Sequence, residues 1–89
     1  MNFKVNLDTM EHSELTDYIV EAIDFVNENG GECKNPDLVL MLDYAQARQH
    51  AIEERQKGAI TQAFKFEDYC EELYSKFSLD WKWKCTSGF

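Results

Sequence analysis

Five carboxylates recur along the first predicted helix at alternating steps of three and four residues. This acidic ridge consists of Glu14, Asp17, Glu21, Asp24 and Glu28. At about 100° per residue the five positions fall within an arc of about 80°, so they share one side of the helix. No lysine or arginine lies between Lys4 and Lys34, and like charges at these spacings destabilise a helix by roughly 0.2–0.5 kcal/mol per pair. The ridge therefore predicts either a solvated face or a docking surface for a cationic partner.

The spacing of the acidic ridge also suggests which kind of cationic partner would fit. Carboxylates on successive helical turns repeat every ~5–6 Å, which is close to the phosphate spacing along a nucleic-acid strand. The ridge is therefore suited to a basic groove that normally binds nucleic acid, where it would act as a competitor. Electrostatic steering would accelerate such an association, and salt would weaken it.

Aromatic and basic residues alternate near the end of the chain, in the run Trp81-Lys82-Trp83-Lys84. Such a run can stack on nucleic-acid bases. Strict alternation instead favours an amphipathic strand whose tryptophans pack inward and whose lysines face water. Because tryptophan is enriched in protein-interface hot spots, Trp81 and Trp83 join the acidic ridge as candidate partner-binding residues.

Metal binding has little support in the spacing of potential ligands. His50 precedes Glu53 and Glu54 by three and four residues, so one helix face offers an imidazole and a carboxylate. A zinc site needs three or four ligands, and His12 and Cys33 lie far from this group without motif spacing. We therefore expect no metal ion and no cofactor.

Catalytic motifs are also missing from the sequence. It contains no nucleophile elbow, phosphate-binding loop or dinucleotide-binding glycine motif. Adjacent carboxylates such as Glu71 and Glu72 point about 100° apart on a helix, so they do not form a shared-proton pair. Cys70 shares an apolar helical seam with Phe66 and Leu73, which indicates a core thiol rather than an activated one. We predict a protein that is not an enzyme.

The elements that must position these residues begin with a short strand and a helix. Residues 2–7 alternate apolar and polar side chains, which is the period of a half-buried strand. The first helix is predicted to start between Thr9 and Ser13, since either hydroxyl can cap it. It should end near residues 27–29, because Gly30-Gly31 supplies a C-terminal cap.

Two further helices are predicted downstream. Asn35-Pro36-Asp37 combines a favoured N-cap, a proline at the first helical position and an acid near the helix dipole. The second helix should reach about Lys57, and Thr61 should cap a third that reaches about Ser78. A heptad-spaced seam crosses the break, formed by Leu38, Leu42, Ala45, Gln49, Ile52, Gln56, Ala59, Ala63, Phe66, Cys70, Leu73 and Phe77.

The glycine between these helices leaves two architectures open. If Gly58 only bends the chain, one helix of roughly 60 Å results; if it breaks the chain, the two helices form a hairpin. We favour the hairpin, because Gly58 comes just before a capping residue. The alternating run from Leu79 to Cys85 predicts a second strand that pairs with the first. The expected fold is one domain, residues 1–89, of the α+β class and mainly α: three helices with a two-stranded terminal ribbon.

Charge and composition indicate which partners are favoured. The net charge is −8, and residues 1–33 carry eight acids against Lys4 alone. Such a surface repels nucleic acid and anionic membranes, so neither is expected as a direct partner, whereas a basic protein is. The sequence has no apolar run near the ~20 residues of a membrane span and no secretory leader. Cys33, Cys70 and Cys85 are odd in number and widely spaced, which favours reduced thiols and a cytoplasmic location, or the host cytoplasm for a viral protein.

Three functional hypotheses follow. The leading one is a non-catalytic binding or inhibitor protein that presents the acidic ridge to a basic, nucleic-acid-handling partner; in composition alone the chain is similar to small acidic phage-encoded inhibitors of host enzymes or defence systems. The second is a helical homo-oligomerisation module that uses residues 38–77, where Gln49 and Gln56 either fix the register or face water. The third is a small-molecule pocket between protomers, lined by aromatic residues.

Overall fold

Three helices and two short 3-10 turns make up the regular structure of the described residues. The computed structural model describes residues 3–31 and 35–83. The elements are a 3-10 turn at Leu7–Thr9, α1 at His12–Glu28, α2 at Pro36–Gln56, α3 at Ile60–Ser75 and a second 3-10 turn at Leu79–Trp81. In the described part of the chain, no helix is both long and apolar enough to span a membrane.

Local capping fixes where the helices start, and two of the three predicted caps are wrong. Asn35 caps α2 as predicted, because its side chain accepts a hydrogen bond from the Asp37 amide at 3.0 Å. The cap of α1 is Glu11 rather than Thr9 or Ser13, and it forms a reciprocal capping box with Glu14. The cap position of α3 is Ala59, which makes no side-chain capping bond, and Thr61 lies inside the helix.

Helices α2 and α3 form an antiparallel hairpin. Gly58 adopts φ +85°, which ends α2 in the left-handed conformation that favours glycine. The amides of Gly58 and Ala59 bond back to the carbonyls of Arg55 and Glu54 at 3.1 and 2.8 Å. Contacts between the helices then run in opposite directions along the chain, from the Arg55–Glu67 ion pair near the turn to Tyr44–Tyr74 further along.

The predicted two-stranded terminal ribbon is wrong, and with it the α+β class: residues 3–31 and 35–83 contain no strand, and the protein is mainly helical. In the first segment, burial does alternate, with Phe3 and Leu7 in the core and Lys4 and Asn6 exposed. The backbone turns instead of pairing, because the Asn6 side chain accepts a hydrogen bond from the Asp8 amide at 2.9 Å and starts the first 3-10 turn.

The second predicted strand is also replaced by a turn. The amides of Trp81 and Lys82 bond to the carbonyls of Ser78 and Leu79 at 3.0 and 3.2 Å, so Leu79–Trp81 is a 3-10 turn. Lys84 and Cys85, the last residues of that prediction, lie outside the described residues. One-sided burial accompanies the alternating pattern only in the first segment, because Leu79 is 73% exposed and Lys82 is as part-buried as Trp81 and Trp83.

The core lies between α2 and its neighbours. Helix α2 packs against α3 along its length and against α1 and the first 3-10 turn on its other sides. The largest fully buried side chains are Tyr44, Leu7, Leu15 and Met41. The molecule is flat, with extents of 39 × 36 × 18 Å, because α2 lies between α1 and α3.

Candidate protein-binding surface

The acidic ridge lies on the face of α1 opposite the core. Leu15, Tyr18 and Ala22 form the buried face of this helix, and the Tyr18 hydroxyl donates a hydrogen bond to the Phe3 carbonyl at 3.0 Å. These contacts fix the rotation of α1 about its axis. All five ridge residues are exposed as a result, namely Glu14, Asp17, Glu21, Asp24 and Glu28.

No internal cation neutralises the acidic ridge within residues 3–31 and 35–83. The ion pairs of that part of the chain involve Glu53, Glu54 and Glu67, none of which lies on α1. Glu14 accepts a hydrogen bond from the Glu11 amide at 3.1 Å, which serves the helix cap. The ridge therefore keeps its charge facing solvent.

A polar cluster that the sequence did not predict joins α1 to α2. The His12 Nε2 lies 2.9 Å from Glu53 Oε2, and His50 Nδ1 lies 3.5 Å from the other oxygen of the same carboxylate. The hydrogen bond from His12 holds the pKa of Glu53 below its ordinary value, against a smaller opposing effect of desolvation. Gln49 completes the cluster by donating to the His12 carbonyl at 3.1 Å and to the Thr16 hydroxyl.

The cluster accounts for two residues for which the sequence suggested other roles. His50, which was considered as a metal ligand, is exposed on α2, and its ring stacks on Phe66 at 5.1 Å between centroids. Gln49 is part-buried, and both hydrogen bonds of its Nε2 go to α1. Among residues 3–31 and 35–83, no three potential ligands are arranged to hold a metal ion, and Cys33 lies outside that part.

Trp83 packs inside the molecule instead of standing on a strand. Its ring contacts Tyr44, Tyr74 and Phe77 with centroid distances of 5.1, 5.0 and 5.5 Å. Its indole Nε1 donates a hydrogen bond to Asp8 Oδ2 at 3.0 Å. Trp83 therefore holds the C-terminal segment against the core, and only part of its ring reaches solvent.

Asp8 joins this tryptophan to a buried tyrosine. The Tyr44 hydroxyl donates to Asp8 Oδ1 at 2.6 Å, and Arg48 donates to the Asp8 carbonyl at 3.3 Å. Burial raises the pKa of Tyr44 above its ordinary value, and the bond to Asp8 raises it further. No local sequence pattern indicates this contact, because 75 residues separate Asp8 from Trp83.

Trp81, the other candidate tryptophan, lies beside the first segment of the chain. Its ring is half-buried, and the Lys4 ammonium lies over it at 5.4 Å from the centroid. The structure does not bring either tryptophan onto α1, so the acidic ridge and the tryptophans do not form one continuous helix face.

Buried residues of the heptad seam pack in the core of the chain itself. Its members Leu38, Ala45 and Ala63 are buried, as are Cys70, Leu73 and Phe77. The Cys70 thiol lies 3.8 Å from the Tyr44 carbonyl across the hairpin, which is the predicted core position. Cys85, like Cys33, lies outside the described residues.

Comparison with known proteins adds no relative to this description: no family model, curated protein or solved structure matches the chain.

Proposed function

We propose that this is a non-catalytic binding protein that presents the acidic ridge of α1 to a basic surface on another protein. The observation that carries the proposal is the exposure of all five ridge carboxylates together with the lack of a cationic partner for them in the described part of the chain. Catalysis is not part of the proposal, because the sequence offers no reactive motif.

Repulsion along the ridge supports the role of an external cation. Each like-charged pair at three or four residues costs roughly 0.2–0.5 kcal/mol in an isolated helix. A basic partner would remove this repulsion on binding and would gain attraction to a molecule of net charge −8. The ridge is thereby suited to fast, salt-sensitive association.

A nucleic-acid-handling protein is the class of partner that we favour. The spacing of carboxylates along α1 resembles the spacing of phosphates along a strand, with one charge per ~5–6 Å turn. A groove built to bind phosphates would accept the ridge and would then be blocked for nucleic acid. An inhibitor of this kind, including one encoded by a phage against a host enzyme or defence system, needs no chemistry of its own.

Charge reversal on the ridge tests the proposal. We would immobilise the wild type and the Glu21→Lys/Asp24→Lys variant, incubate each with host lysate at low and high salt, and compare the captured proteins by mass spectrometry. We expect the wild type to capture basic nucleic-acid-binding proteins at low salt, and both the variant and high salt to abolish that capture.

The matched control reverses the same amount of charge on another helix. Asp68 and Glu72 are exposed and four residues apart on α3, so Asp68→Lys/Glu72→Lys changes the net charge equally. This control should retain the captured proteins. Capture that survives the ridge reversal and high salt, or that fails equally in the control, would rule out the ridge as the binding surface.

A further inference from the structure

Helices α1 and α2 pack in an antiparallel register that two polar contacts define. His12 lies beside Glu53, and Thr16 is bonded to Gln49. From the first pair to the second, the residue number rises by four on α1 and falls by four on α2. The two helices therefore run antiparallel in a constant register. Steps of seven residues return to nearly the same side of a helix, so the register extends along the whole contact.

The same register makes the other end of this contact apolar. Ile23 follows Thr16 by seven residues, and the register places it beside Leu42. Val26 follows His12 by fourteen residues, and the register places it beside Val39. Leu42 and Val26 are part-buried against the core, but Ile23 and Val39 remain 42% and 41% exposed. We call Ile23 and Val39, with the 52%-exposed Val20 next to them on α1, the apolar strip.

The N-terminal residues that the structure describes, from Phe3 to the first 3-10 turn, pack away from the apolar strip. The first 3-10 turn packs on the opposite side of α2, where Asp8 contacts Tyr44 and Arg48. Phe3 contacts the side of α1 that carries Tyr18, at 5.8 Å between ring centroids. The strip is thus an apolar face that α1 and α2 leave exposed together.

Negative charge borders the strip on both helices. Asp24, a ridge residue, follows Val20 by one turn of α1, and Asp43 follows Val39 by one turn of α2. Helix α1 has no lysine or arginine, and both arginines of α2 are bonded on other sides, Arg48 to the first 3-10 turn and Arg55 to α3. The surface is therefore apolar in the middle and acidic at its edges.

We propose that the apolar strip receives a basic amphipathic helix of the partner, with apolar residues of that helix on Ile23 and Val39 and its lysines or arginines against Asp24 and Asp43. This inference rests on the proposed function and specifies the element that docks. An amphipathic helix with anchors at i, i+3, i+4 and i+7 matches an apolar surface of this kind. A second copy of the chain does not, because it would bring another acidic ridge to an acidic edge.

Two synthetic probes separate the apolar contribution from the electrostatic one. The first is a helical lysine–leucine peptide with leucines at i, i+3, i+4 and i+7, and the second is an oligolysine peptide of equal charge. Binding of each would be measured by fluorescence anisotropy to the wild type, to Ile23→Gln/Val39→Gln and to Ile60→Gln/Phe64→Gln. The last variant is the matched control, since Ile60 and Phe64 are 42% and 53% exposed on α3.

We expect Ile23→Gln/Val39→Gln to weaken binding of the lysine–leucine peptide by about tenfold or more and to leave oligolysine binding unchanged. The control variant should bind both probes like the wild type. Glutamine keeps helix propensity, and circular dichroism would verify the fold. If the strip variant lost helicity, Ile23→Ala/Val39→Ala would replace it with the same expected direction.

The two proposals fail in different ways. Unchanged peptide binding by the strip variant, or an equal loss in the Ile60/Phe64 control, would overturn the inference about the strip while leaving the ridge untouched. If Glu21→Lys/Asp24→Lys bound both probes as the wild type does, the ridge would not attract cations, and the proposed function would fail.

Discussion

At the scale of single residues, Asp8 connects parts of the chain that are far apart in sequence. Its two carboxylate oxygens accept separate hydrogen bonds, one from Tyr44 and one from Trp83. A charged acceptor makes such bonds stronger than neutral ones. This one side chain therefore joins the first 3-10 turn, α2 and the C-terminal segment.

Replacing Asp8 with alanine should cost about 2–3 kcal/mol of unfolding free energy, because the Tyr44 hydroxyl and the Trp83 indole would lose their charged acceptor at a part-buried position. Urea unfolding followed by tryptophan fluorescence would measure the change. Asp80→Ala, in the other 3-10 turn at an exposed position, should change stability by less than about 0.5 kcal/mol. Equal effects of the two substitutions would contradict this role for Asp8.

The Glu53 carboxylate should make stability depend on acid pH. Its pKa in the folded protein is lowered from 4.5 by the hydrogen bond from His12. A lowered pKa stabilises the fold above the unfolded value, and this stabilisation disappears as pH falls through the folded value. Glu53→Gln should therefore flatten the decline of unfolding free energy below about pH 4.5.

Glu67 offers an independent repeat of the same measurement. Arg55 holds the pKa of Glu67 below its ordinary value through two hydrogen bonds of 2.8 Å each. Glu67→Gln should also flatten the decline of unfolding free energy at acid pH. The double variant Glu53→Gln/Glu67→Gln should flatten it further. Parallel pH profiles for wild type and variants would contradict both assignments.

At the scale of elements, the helices could be predicted from the sequence because their signals are local. Asn35-Pro36 marked the start of α2 and Gly58 marked its end, and the structure places α2 at Pro36–Gln56. The predicted capping residue of α1 was wrong because Thr9, Glu11 and Ser13 all offer suitable side chains within five residues. Only the capping box with Glu14 decides among them, and it depends on side-chain geometry.

Alternation of apolar and polar residues was not enough to decide whether the two terminal segments form strands. A strand requires a partner whose amides and carbonyls complete the ladder. Phe3 and Leu7 alternate with polar residues because the segment crosses the helices with one side buried. The Asn6 side chain accepts a hydrogen bond from the Asp8 amide, and the Ser78 carbonyl accepts one from the Trp81 amide, so the backbone turns in both segments. Nothing in a period of two distinguishes such a turn from a ribbon.

Gly58→Ala should destabilise the hairpin by about 1 kcal/mol, because a residue with a Cβ is strained at φ +85°. Beyond Gly58 and its two chain neighbours, no heavy atom lies within 4 Å of the position that the added Cβ would occupy, so crowding by other residues adds nothing. Gly58→Asn should cost less, since asparagine tolerates this conformation better. Urea unfolding of the two variants checks the order, and an alanine variant as stable as the wild type would contradict it.

At the scale of the whole molecule, local periodicity predicted the ridge but not what surrounds it. The exposure of Glu21 and Asp24 follows from their position opposite the apolar face of α1. The contact between His12 and Glu53 spans 41 residues and exists only because α1 packs antiparallel to α2. The apolar strip depends on the same packing, so neither feature has a signature in the sequence.

The protein should be a monomer of 10.4 kDa by light scattering at both low and high concentration. The seam that was a candidate for homo-oligomerisation, residues 38–77, contributes its buried members to the hairpin core, and a net charge of −8 repels a second copy. A mass that rises with concentration would instead support self-association. Gln56→Leu should leave the mass unchanged, because Gln56 is exposed at the end of α2.

The bond between Trp83 and Asp8 also sets an order of events during folding. It forms only after the segment that follows α3 has reached Asp8, 75 residues earlier in the chain. Until then the Asp8 carboxylate has Tyr44 as a donor but lacks the indole, and one side of the aromatic cluster stays open. Because contacts between residues far apart in sequence form more slowly than local helical turns, the docking of Trp83 on Asp8 is expected as a late step that closes the aromatic cluster.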